Sequence, residues 1–246
     1  VPVSASSGYS SKNVNAGEIA NNGIEISLGL IPIQTKSGFE WNLTFNFAKN
    51  NNKVVSLIEG VERYQLGSYW SLYVMAIPGH PFGDLYGYDV LRDPNGNVFY
   101  RNGLVVQDPT LKVLGNYTPD WIGGINNEFT YKNLNFGFLI DIRQGGDIYT
   151  MTTTWGRYSG VLEETLKGRE GGIVGVGVKE VYDGSGNVTY VKNDVVVTAE
   201  EYNKAAYQNQ IAYPSIFDAS FIKLREVKLG YTFKKMGKLT LRDLTI

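Results

Sequence analysis

The sequence of 246 residues contains no cysteine and a single histidine, His80. The absence of cysteine excludes a disulfide framework and a thiolate metal site. A catalytic triad needs a histidine beside a nucleophile, but His80 lies between Gly79 and Pro81, which is typical of a solvated histidine in a turn. The 23 Lys and Arg residues nearly balance the 24 Asp and Glu residues, so the formal net charge of −1 gives no reason to expect nucleic-acid binding.

Long apolar runs are also missing from the chain. The longest, residues 72–77, is far too short for a membrane-spanning helix. Residues 1–4 lack the basic and apolar regions of a signal peptide, so we expect the chain to be mature, cytosolic or a fragment. Neither observation excludes a membrane β-barrel, because half of each barrel strand is polar and escapes hydropathy tests.

The chain is instead rich in glycine, with 29 residues, in tyrosine, with 17, and in alternating patterns. Residues 121–131 and 134–142 alternate apolar and polar side chains, and a tight turn near Lys132 and Asn133 joins them. The alternation is longer than an ordinary globular strand needs. It suits a tilted strand crossing a bilayer, which takes about 9–11 residues. These patterns predict an all-β fold of antiparallel transmembrane β-barrel strands.

A second hairpin is predicted from residues 24–34 and 39–49. The second of these strands has the cleanest alternation in the chain, and Pro32 indicates an edge, an end or a bulge in the first. Residues 1–22 are predicted to form a turn or loop, and residues 50–69 a polar connection. In all, about eight membrane-type strands are expected.

A long excursion separates the central hairpin from the last clear strand. Residues 150–220 show only local patterning, with a small hairpin around 183–187 and a helix that Thr198 and Glu201 open as a capping box. Seventy residues without a membrane-length strand indicate a long extracellular loop of a barrel.

Two further local features are predicted. Residues 93–97, Asp-Pro-Asn-Gly-Asn, have the chemistry of a turn. Residues 221–233 return to strand, and their two apolar phases indicate a bulge near Glu226.

No group of residues predicts catalysis, a cofactor or a metal. Glycines at 171–177 lack the strand-to-helix context and the Lys-Ser/Thr of a phosphate loop. Residues 183–194 have a partial calcium-loop spacing, but Val188 takes the position of the required glycine, so a hairpin turn is the better interpretation. The carboxylate pairs 163–164 and 200–201 are adjacent in sequence and need not face one another. We therefore expect no enzymatic activity.

Four stretches in one order carry a resemblance to a known family. They are Asn15-Ala16-Gly17-Glu18-Ile19 with Asn22-Gly23-Ile24-Glu25; residues 79–88; Leu114-Gly115-Asn116 with Pro119-Asp120-Trp121, Gly123-Gly124 and Tyr131-Lys132-Asn133; and residues 217–227 with Leu229-Gly230-Tyr231-Thr232. The first resembles a turn-and-strand start of SusC/RagA-type TonB-dependent outer-membrane transporters. The second resembles their G-x-P-x-G-x-x-Y-G-Y stretch, the third their central hairpin, and the fourth their late-barrel signature.

This resemblance implies a 22-stranded barrel closed by a plug, in the outer membrane of a Gram-negative bacterium. Such transporters import oligosaccharides or peptides, are driven by TonB and pair with a SusD-like surface lipoprotein. We see no signal peptide, TonB box, plug or final strands of the family, so residues 1–246 are expected to be a C-terminal-half fragment of the barrel domain. Open sheet edges in lipid would cost several kcal/mol for each unpaired backbone group, so the fragment needs the rest of its barrel.

Two sets of site residues follow from these interpretations. The side chains predicted to face lipid are Trp41, Phe45, Phe47, Phe136, Phe138 and Ile140, opposite lumen-facing Asn42, Asn46, Asn126 and Glu128. The side chains predicted to contact substrate from aromatic-rich loops are Tyr86, Tyr88, Trp155, Arg157 and Tyr158. The aromatic residues of the second set fit a loop core or an interfacial girdle equally well.

An alternative function is a soluble secreted β-sandwich that binds glycans through its aromatic loops. It explains the alternation, but neither the strand length nor the missing termini. An enzymatic function ranks last, because no residue constellation supports it.

Overall fold

The computed structural model describes residues 17–233, together with Ser6, Gly8 and the backbone of residues 244–245. The strands are β1 (Gly17–Gln34), β2 (Phe39–Leu57), β3 (Tyr64–Tyr69), β4 (Leu72–Ala76), β5 (Asp84–Gly87), β6 (Tyr100–Arg101), β7 (Leu104–Val105), β8 (Lys112–Asn116), β9 (Trp121–Tyr131), β10 (Leu134–Gln144), β11 (Asp147–Tyr149), β12 (Ile173–Val174), β13 (Val178–Tyr182), β14 (Val188–Lys192), β15 (Val196–Val197), β16 (Ile216–Asp218), β17 (Phe221–Tyr231) and β18 (Leu244–Thr245). The helices are α1 (Met151–Ser159) and α2 (Ala199–Gln208), with 3-10 helices at Glu163–Leu166 and Tyr213–Ser215.

The described chain forms two compact units. The sheet unit contains residues 21–52, 118–146 and those from 218 onward. The mixed unit contains residues 17–20, 53–117 and 147–217.

The sheet unit is one six-stranded sheet in the order β1-β2-β9-β10-β17-β18. The pairs for which the register is defined are antiparallel, and the register places Trp41 opposite Phe129, and Phe129 opposite Phe136. Pro32 lies in β1, which is an edge strand of this sheet, as predicted. Lys132, at φ 56°, forms the two-residue turn that joins β9 to β10, which confirms the predicted hairpin.

One face of this sheet is a continuous aromatic and aliphatic surface. The Phe129 ring lies 5.6 Å from that of Trp41 and 6.2 Å from those of Phe136 and Phe138. The same face holds one buried polar side chain, Asn127, whose Oδ1 accepts a hydrogen bond from the Trp41 indole nitrogen at 3.2 Å. The period of two in each strand, kept in register, therefore collects the apolar side chains on one side.

The opposite face of the sheet is polar and joined by cross-strand charge pairs. Arg225 on β17 donates to Asp141 on β10, and Lys228 lies 3.3 Å from the Glu128 carboxylate on β9. The first pair joins neighbouring strands, where opposite charges stabilise a sheet modestly, by roughly 0.2–1 kcal/mol a pair. The second pair reaches across β10 at Gly137, which has no side chain between them.

A bulge in β17 allows its apolar residues to lie on one face although their alternation shifts by one position along the strand. Leu139 faces Glu226 but the next residue, Ile140, faces Leu224, so Arg225 is an extra residue on its strand. The extra residue returns Leu224 to the face that carries Val227. The bulge predicted near Glu226 is confirmed.

Three expectations about the strands are wrong. β2 continues to Leu57 and β3 covers 64–69, so 50–69 is mostly strand rather than a polar connection. The polar side chains at residues 50–57 interrupt the alternation, but the backbone of β2 still lies against β1. The two backbones are so close that a Cβ on Gly23 of β1 would lie 2.8 Å from the Lys49 carbonyl oxygen of β2.

The second wrong expectation concerns the start of the chain. β1 begins at Gly17, so residues 17–22 are strand rather than loop, while residues 1–5, 7 and 9–16 lie outside the described residues.

The third concerns the strand count. Within the part of the chain that is described, five strands have 11 residues or more, rather than about eight: β1, β2, β9, β10 and β17. Apolar stretches such as 72–76 form short strands of the mixed unit instead.

The mixed unit contains a four-stranded antiparallel sheet in the order β3-β4-β5-β8. Its core is formed by Leu72, Leu85 and Ala212, all less than 5% exposed. Tyr149 and Ile216 pack against this core from the two-stranded β11–β16 ladder. Burial of such side chains, at roughly 1.5–3 kcal/mol for each large one, holds the unit together.

Both predicted aspartate turns are present. The Asp183 carboxylate accepts hydrogen bonds from the backbone nitrogens of Ser185 and Asn187, each at 2.9 Å, and closes the β13–β14 hairpin. Asp93 accepts in the same way from Asn95 at 3.0 Å and Asn97 at 2.7 Å. A turn rather than a calcium loop therefore explains both segments.

Neither α1 nor α2 is long and apolar enough to cross a membrane, and the same holds for every helix within the described residues.

Candidate ligand-binding site

The helix α1 was not predicted, and its sequence explains why. Three threonines and Gly156 have low intrinsic helix propensity. The helix forms because its N-cap Thr150 accepts a hydrogen bond from Thr153, and because Gly160 ends it in the left-handed conformation. Gly156 is buried against Leu162, where a Cβ would come within 2.7 Å of that side chain. Packing, rather than propensity, therefore specifies α1.

The helix α2 was predicted from its first turn, and the prediction is confirmed. The Thr198 side chain accepts from the Glu201 backbone nitrogen, and the Glu201 carboxylate accepts from the Thr198 backbone nitrogen at 3.0 Å. The hydrogen bond from the Thr198 side chain lowers the pKa of Glu201, which keeps the cap charged. The capped first turn stabilises the start of the helix on which Lys204 and Tyr207 lie.

Four aromatic side chains of the mixed unit meet beside these helices: Trp70, Trp155, Tyr158 and Tyr207. We refer to them as the aromatic cluster. Trp70 stacks on Tyr207 with ring centroids 4.8 Å apart and planes 10° from parallel. Tyr207 also lies 4.9 Å from Trp155 and 4.2 Å from Tyr158, so its ring is the centre of the group. Both indoles stay accessible, with 49% of Trp70 and 42% of Trp155 exposed.

Trp70 is held in an unfavourable backbone conformation. It lies in the two-residue turn between β3 and β4 with φ at 55°, in the left-handed region. For a bulky side chain this region is disfavoured by about 1–2 kcal/mol. Retention of a half-exposed indole at such a cost indicates a role for the ring beyond the turn itself.

A cavity of about 640 Å³ adjoins the aromatic cluster and shares Tyr158 with it. Its charged lining consists of the cations Arg157, Arg169 and Lys204 and a single carboxylate, Glu200. We refer to it as the cationic cavity. The Lys204 ammonium lies 5.2 Å from the centre of the Tyr158 ring, within the range of a cation–π contact.

Two of the three cations have carboxylate partners. Arg157 Nε donates to Glu164 at 2.6 Å, and its Nη1 donates to the Pro214 carbonyl at 2.6 Å. Lys204 donates to Glu200 at 2.6 Å, and this hydrogen bond raises the pKa of Lys204. Arg157, Lys204 and Glu200 of these pairs line the cavity.

Arg169 is bonded only to neutral oxygens. Its Nε donates to the Thr165 carbonyl at 3.1 Å, and its Nη2 donates to the Gly160 carbonyl at 2.5 Å and to Thr165 Oγ1 at 3.3 Å. In the part of the chain that the structure describes, no carboxylate forms an ion pair with this guanidinium. A guanidinium has five donors, so the two on Nη1 remain available.

A second cavity, of about 410 Å³, shares Arg157 and Asn203 with the first. Tyr100 and Tyr202 line it, and burial raises the pKa of Tyr100 far above its ordinary value. Tyr100 therefore acts as a neutral hydrogen-bonding group at any physiological pH.

Tyr86 and Tyr88 lie apart from the aromatic cluster. Tyr86 is in β5 rather than in a loop; it is 8% exposed, and its hydroxyl accepts a hydrogen bond from Arg63 at 2.6 Å. Tyr88 is half-buried, and its carbonyl accepts from the Ala212 nitrogen at 3.0 Å. Of the five predicted contact residues, the fold brings together Trp155, Arg157 and Tyr158.

The six side chains predicted to face lipid share the apolar face of the sheet unit. Trp41 and Phe136 are both aligned with Phe129, and Phe45 and Ile140 are both aligned with Ile125. Phe47 and Phe138 complete the set on that face, in register with Gly123 and Asn127. That lipid covers this face in the whole protein remains a prediction.

Sequence analysis missed Trp70, Tyr207, Lys204 and Arg169. A tryptophan at the start of an apolar run was a signal for Trp70, but a single aromatic residue in a turn has no periodic context. Lys204 and Tyr207 are three residues apart in α2, the helical spacing that places side chains on one face. No local pattern distinguishes Arg169.

Across the ranges that are described, no group of three or more His, Asp or Glu side chains could hold a metal ion.

No protein-family profile matches the chain. Curated relatives do: it is 24% identical over 281 residues to TonB-dependent receptor P3 of Formosa agariphila, an alignment that covers 100% of this chain and 25% of the relative. It is also 24% identical over 242 residues to the TonB-dependent receptor SusC of Bacteroides thetaiotaomicron, which covers 91% of this chain and 21% of that protein. The chain thus spans about a quarter of the length of the curated relatives it matches.

Solved structures give the same result for the fold. The chain is similar to the RagAB peptide importer in its closed-closed state, with a TM-score of 0.61 and 18% identity over 94% of this chain and 25% of that one. A second structure, of the RagAB peptide transporter, gives a TM-score of 0.59 over 94% of this chain.

The described strands therefore belong to an all-β, antiparallel fold of the kind found in β-barrel transport proteins. Within that class, the chain is similar in sequence to TonB-dependent receptors, SusC among them, and similar in fold to RagAB, and it spans about a quarter of the length of such a protein. The family resemblance carried by the four sequence stretches is confirmed. The relatives named here are receptors and transporters rather than enzymes.

Proposed function

We propose that the chain is part of a TonB-dependent transporter in the outer membrane of a Gram-negative bacterium, and that the whole protein imports oligosaccharides or peptides. The observation that carries this proposal is the sheet unit, whose longest strands have 11 to 19 residues and separate an aromatic face from a charged one. A tilted strand needs about 9–11 residues to cross a bilayer. The similarity to the RagAB peptide importer and to TonB-dependent receptors supports import as the direction of transport.

Import is tested with the whole protein in cells. Uptake of labelled oligosaccharides and labelled peptides is compared between cells that make the full-length protein and cells that lack it. The proposal expects uptake of one cargo class to depend on the protein and to stop when a protonophore removes the proton gradient. Uptake that does not change on deletion of the protein would overturn it.

The aromatic face of the sheet unit is proposed to face lipid. Phe45 and Asn46 are neighbours in β2 on opposite faces, so spin labels at these two positions in the full-length protein report the two environments. We expect a lipid-soluble quencher to reach the label at 45 and a water-soluble quencher to reach the label at 46. Reversed accessibility, or no lipid access at either site, would contradict the assignment.

Residues 150–220 are proposed to form a long extracellular loop. The β10 strand enters this segment from the end opposite to the tight turn at Lys132, and barrels place tight turns on the periplasmic side. Because the chain has no cysteine, Ser185→Cys and Lys132→Cys give single labelling sites within it. A membrane-impermeant maleimide on intact cells is expected to label position 185, and position 132 only after permeabilisation. Labelling of 132 alone would reverse the topology.

We propose a SusD-like surface lipoprotein and TonB as partners of the whole protein. The similarity to SusC and to RagAB supports the first partner, and the TonB-dependent receptors among the relatives support the second. Affinity purification of the tagged full-length protein in detergent should recover a lipoprotein. Recovery of the full-length protein alone, under conditions that keep the outer membrane complexes intact, would contradict the lipoprotein assignment.

A soluble glycan-binding module is the alternative that the aromatic cluster alone would favour. It requires the native protein to be recovered without detergent and to bind glycans in that form. Extraction only by detergent would exclude it.

A further inference from the structure

We propose that the aromatic cluster and the cationic cavity together form a subsite for a uronate residue, a sugar ring that bears a carboxylate. This inference rests on the proposed import function, because it names a chemical class of cargo for that function.

The first argument is the state of Arg169. Its guanidinium is anchored by three hydrogen bonds to Thr165 and Gly160, and Thr165 is only 2% exposed. The two N–H donors on its Nη1 have no partner within the described residues, and the Arg169 side chain lines the cavity. An immobilised guanidinium with free donors matches a carboxylate in shape and charge.

The second argument is the charge of the cavity. Its lining has three cations and one carboxylate. Glu164 neutralises Arg157 and Glu200 neutralises Lys204. One positive charge, on Arg169, is then left within the lining, so an anionic ligand is favoured over a neutral or cationic one.

The third argument is the aromatic surface next to that charge. Tyr158 belongs to both the cluster and the cavity, and it contacts Tyr207 at 4.2 Å. Tyr207 in turn stacks on Trp70, which is 49% exposed. The backbone of Trp70 also has an unfavourable positive φ. Aromatic ring faces are electron-rich and accept the C–H face of a sugar.

A uronate fits better than an acidic peptide. The cavity is lined by residues 157–169 and 198–204, and these segments contain helices and turns but no strand. Extended peptides gain affinity by pairing their main chain with a strand edge, which this lining does not offer. A uronate instead carries its carboxylate on the same rigid ring that stacks, which suits a cavity lined by both Tyr158 of the aromatic cluster and Arg169.

The test uses the full-length protein in detergent and three probes. Tetragalacturonate and its methyl ester have the same rings, but only the first is charged. Tetraglutamate has the charge without the rings. Affinities are measured by calorimetry, and tryptophan fluorescence reports contact with the indoles.

We expect tetragalacturonate to bind and to quench tryptophan fluorescence. The methyl ester should bind at least about tenfold more weakly, the loss expected for one missing charged hydrogen bond. Tetraglutamate should also bind at least about tenfold more weakly, because it lacks the rings that stack on the aromatic cluster. Arg169→Gln should weaken tetragalacturonate about tenfold or more while leaving the methyl ester unchanged. Trp70→Gly should weaken both sugars. Arg101→Gln, an exposed arginine outside the cavity, is the matched control and should change neither.

Equal binding of tetragalacturonate to the Arg169→Gln protein and to the natural one would overturn the inference. Tighter binding of tetraglutamate than of tetragalacturonate would show an acidic peptide as the ligand and overturn the assignment to a sugar. Melting temperatures of all variants identify any loss of fold, and the Arg169→Lys protein, which keeps the charge without the fork, should show intermediate affinity. If the cells import other oligosaccharides or peptides in the uptake assay but the protein does not bind tetragalacturonate, only the subsite fails and the import function stands.

Discussion

His80 Nδ1 lies 2.9 Å from Oδ2 of Asp84, a carboxylate that is almost completely buried. The other oxygen of Asp84, Oδ1, accepts a hydrogen bond from Asn116 at 2.9 Å. Among the described residues, Oδ2 has no hydrogen-bond partner, so the imidazole meets it as a close polar contact only. The sequence predicted a solvated histidine in a turn; the turn is present and the ring is half-exposed, but one of its nitrogens faces a buried carboxyl group.

Replacement of this histidine is expected to destabilise the mixed unit. His80→Ala removes the imidazole nitrogen that lies 2.9 Å from this buried carboxylate oxygen, and loss of that polar contact should cost roughly 1–3 kcal/mol. The free energy of unfolding of the full-length protein in detergent measures the loss. In an Asp84→Asn background the same substitution should cost much less, because the carboxyl group that the imidazole contacts is gone. Equal losses in the two backgrounds would show that the pair contributes nothing.

Two glycines with the same backbone conformation should respond differently to alanine. Gly83 and Gly96 have φ of 88° and 85°. A Cβ at Gly83 would overlap the Tyr117 ring, whereas a Cβ at Gly96 would meet nothing within 4 Å. Gly96→Ala should therefore cost about 1 kcal/mol of stability from the backbone alone. Gly83→Ala should cost about 1–3 kcal/mol more, because overpacking is added. Thermal denaturation of both variants checks the difference, and equal melting temperatures would contradict it.

The cap of α2 is expected to stabilise the helix that carries Lys204 and Tyr207. Thr198→Ala removes the side-chain oxygen that accepts from Glu201, which should cost about 1 kcal/mol. Amide hydrogen exchange in the first turn of α2 should become faster. Thr198→Ser keeps the oxygen and should leave the exchange rates close to those of the natural protein; equally fast exchange in both variants would rule out the cap as the cause.

The Asp183 turn is expected to loosen in acid. The side-chain hydrogen bond from Asn187 lowers the pKa of Asp183 below its ordinary value of 3.8. A folded-state pKa below the unfolded one means that the carboxylate stabilises the turn above about pH 4, and that this contribution is lost as the pH falls through the lowered value. Protection of the Ser185 and Asn187 amides from hydrogen exchange, corrected for intrinsic rates, should therefore fall below pH 4. Asp183→Asn removes the titrating group, and its protection should not depend on pH in this range.

Local chemistry explains which parts of the fold were predictable. The turn at Lys132, the Asp183 hairpin and the Thr198 capping box depend on residues within five positions of one another, so the sequence contains all of their determinants. The bulge near Glu226 was visible for a related reason, since a change of apolar phase within one strand requires an extra residue.

Segments whose structure depends on distant partners were not predictable. The polar end of β2 remains a strand because β1 supplies backbone hydrogen-bonding partners, whatever the side chains are. α1 forms although its composition is unfavourable, since Gly156 packs against Leu162 and the helix is capped at both ends. In both cases tertiary contacts outweigh the local preference.

By itself, the sequence determined the alternation that gives the sheet unit two faces, the local turns and caps, and the resemblance to TonB-dependent transporters. Only the tertiary structure decided which side chains form the candidate site. Trp70 stacks on Tyr207 and Tyr158 shares a cavity with Lys204, and no periodicity connects residues so far apart along the chain. Side chains from separate segments meet only where the backbone path brings them together, and that path is set by strand pairing and helix packing over the whole unit.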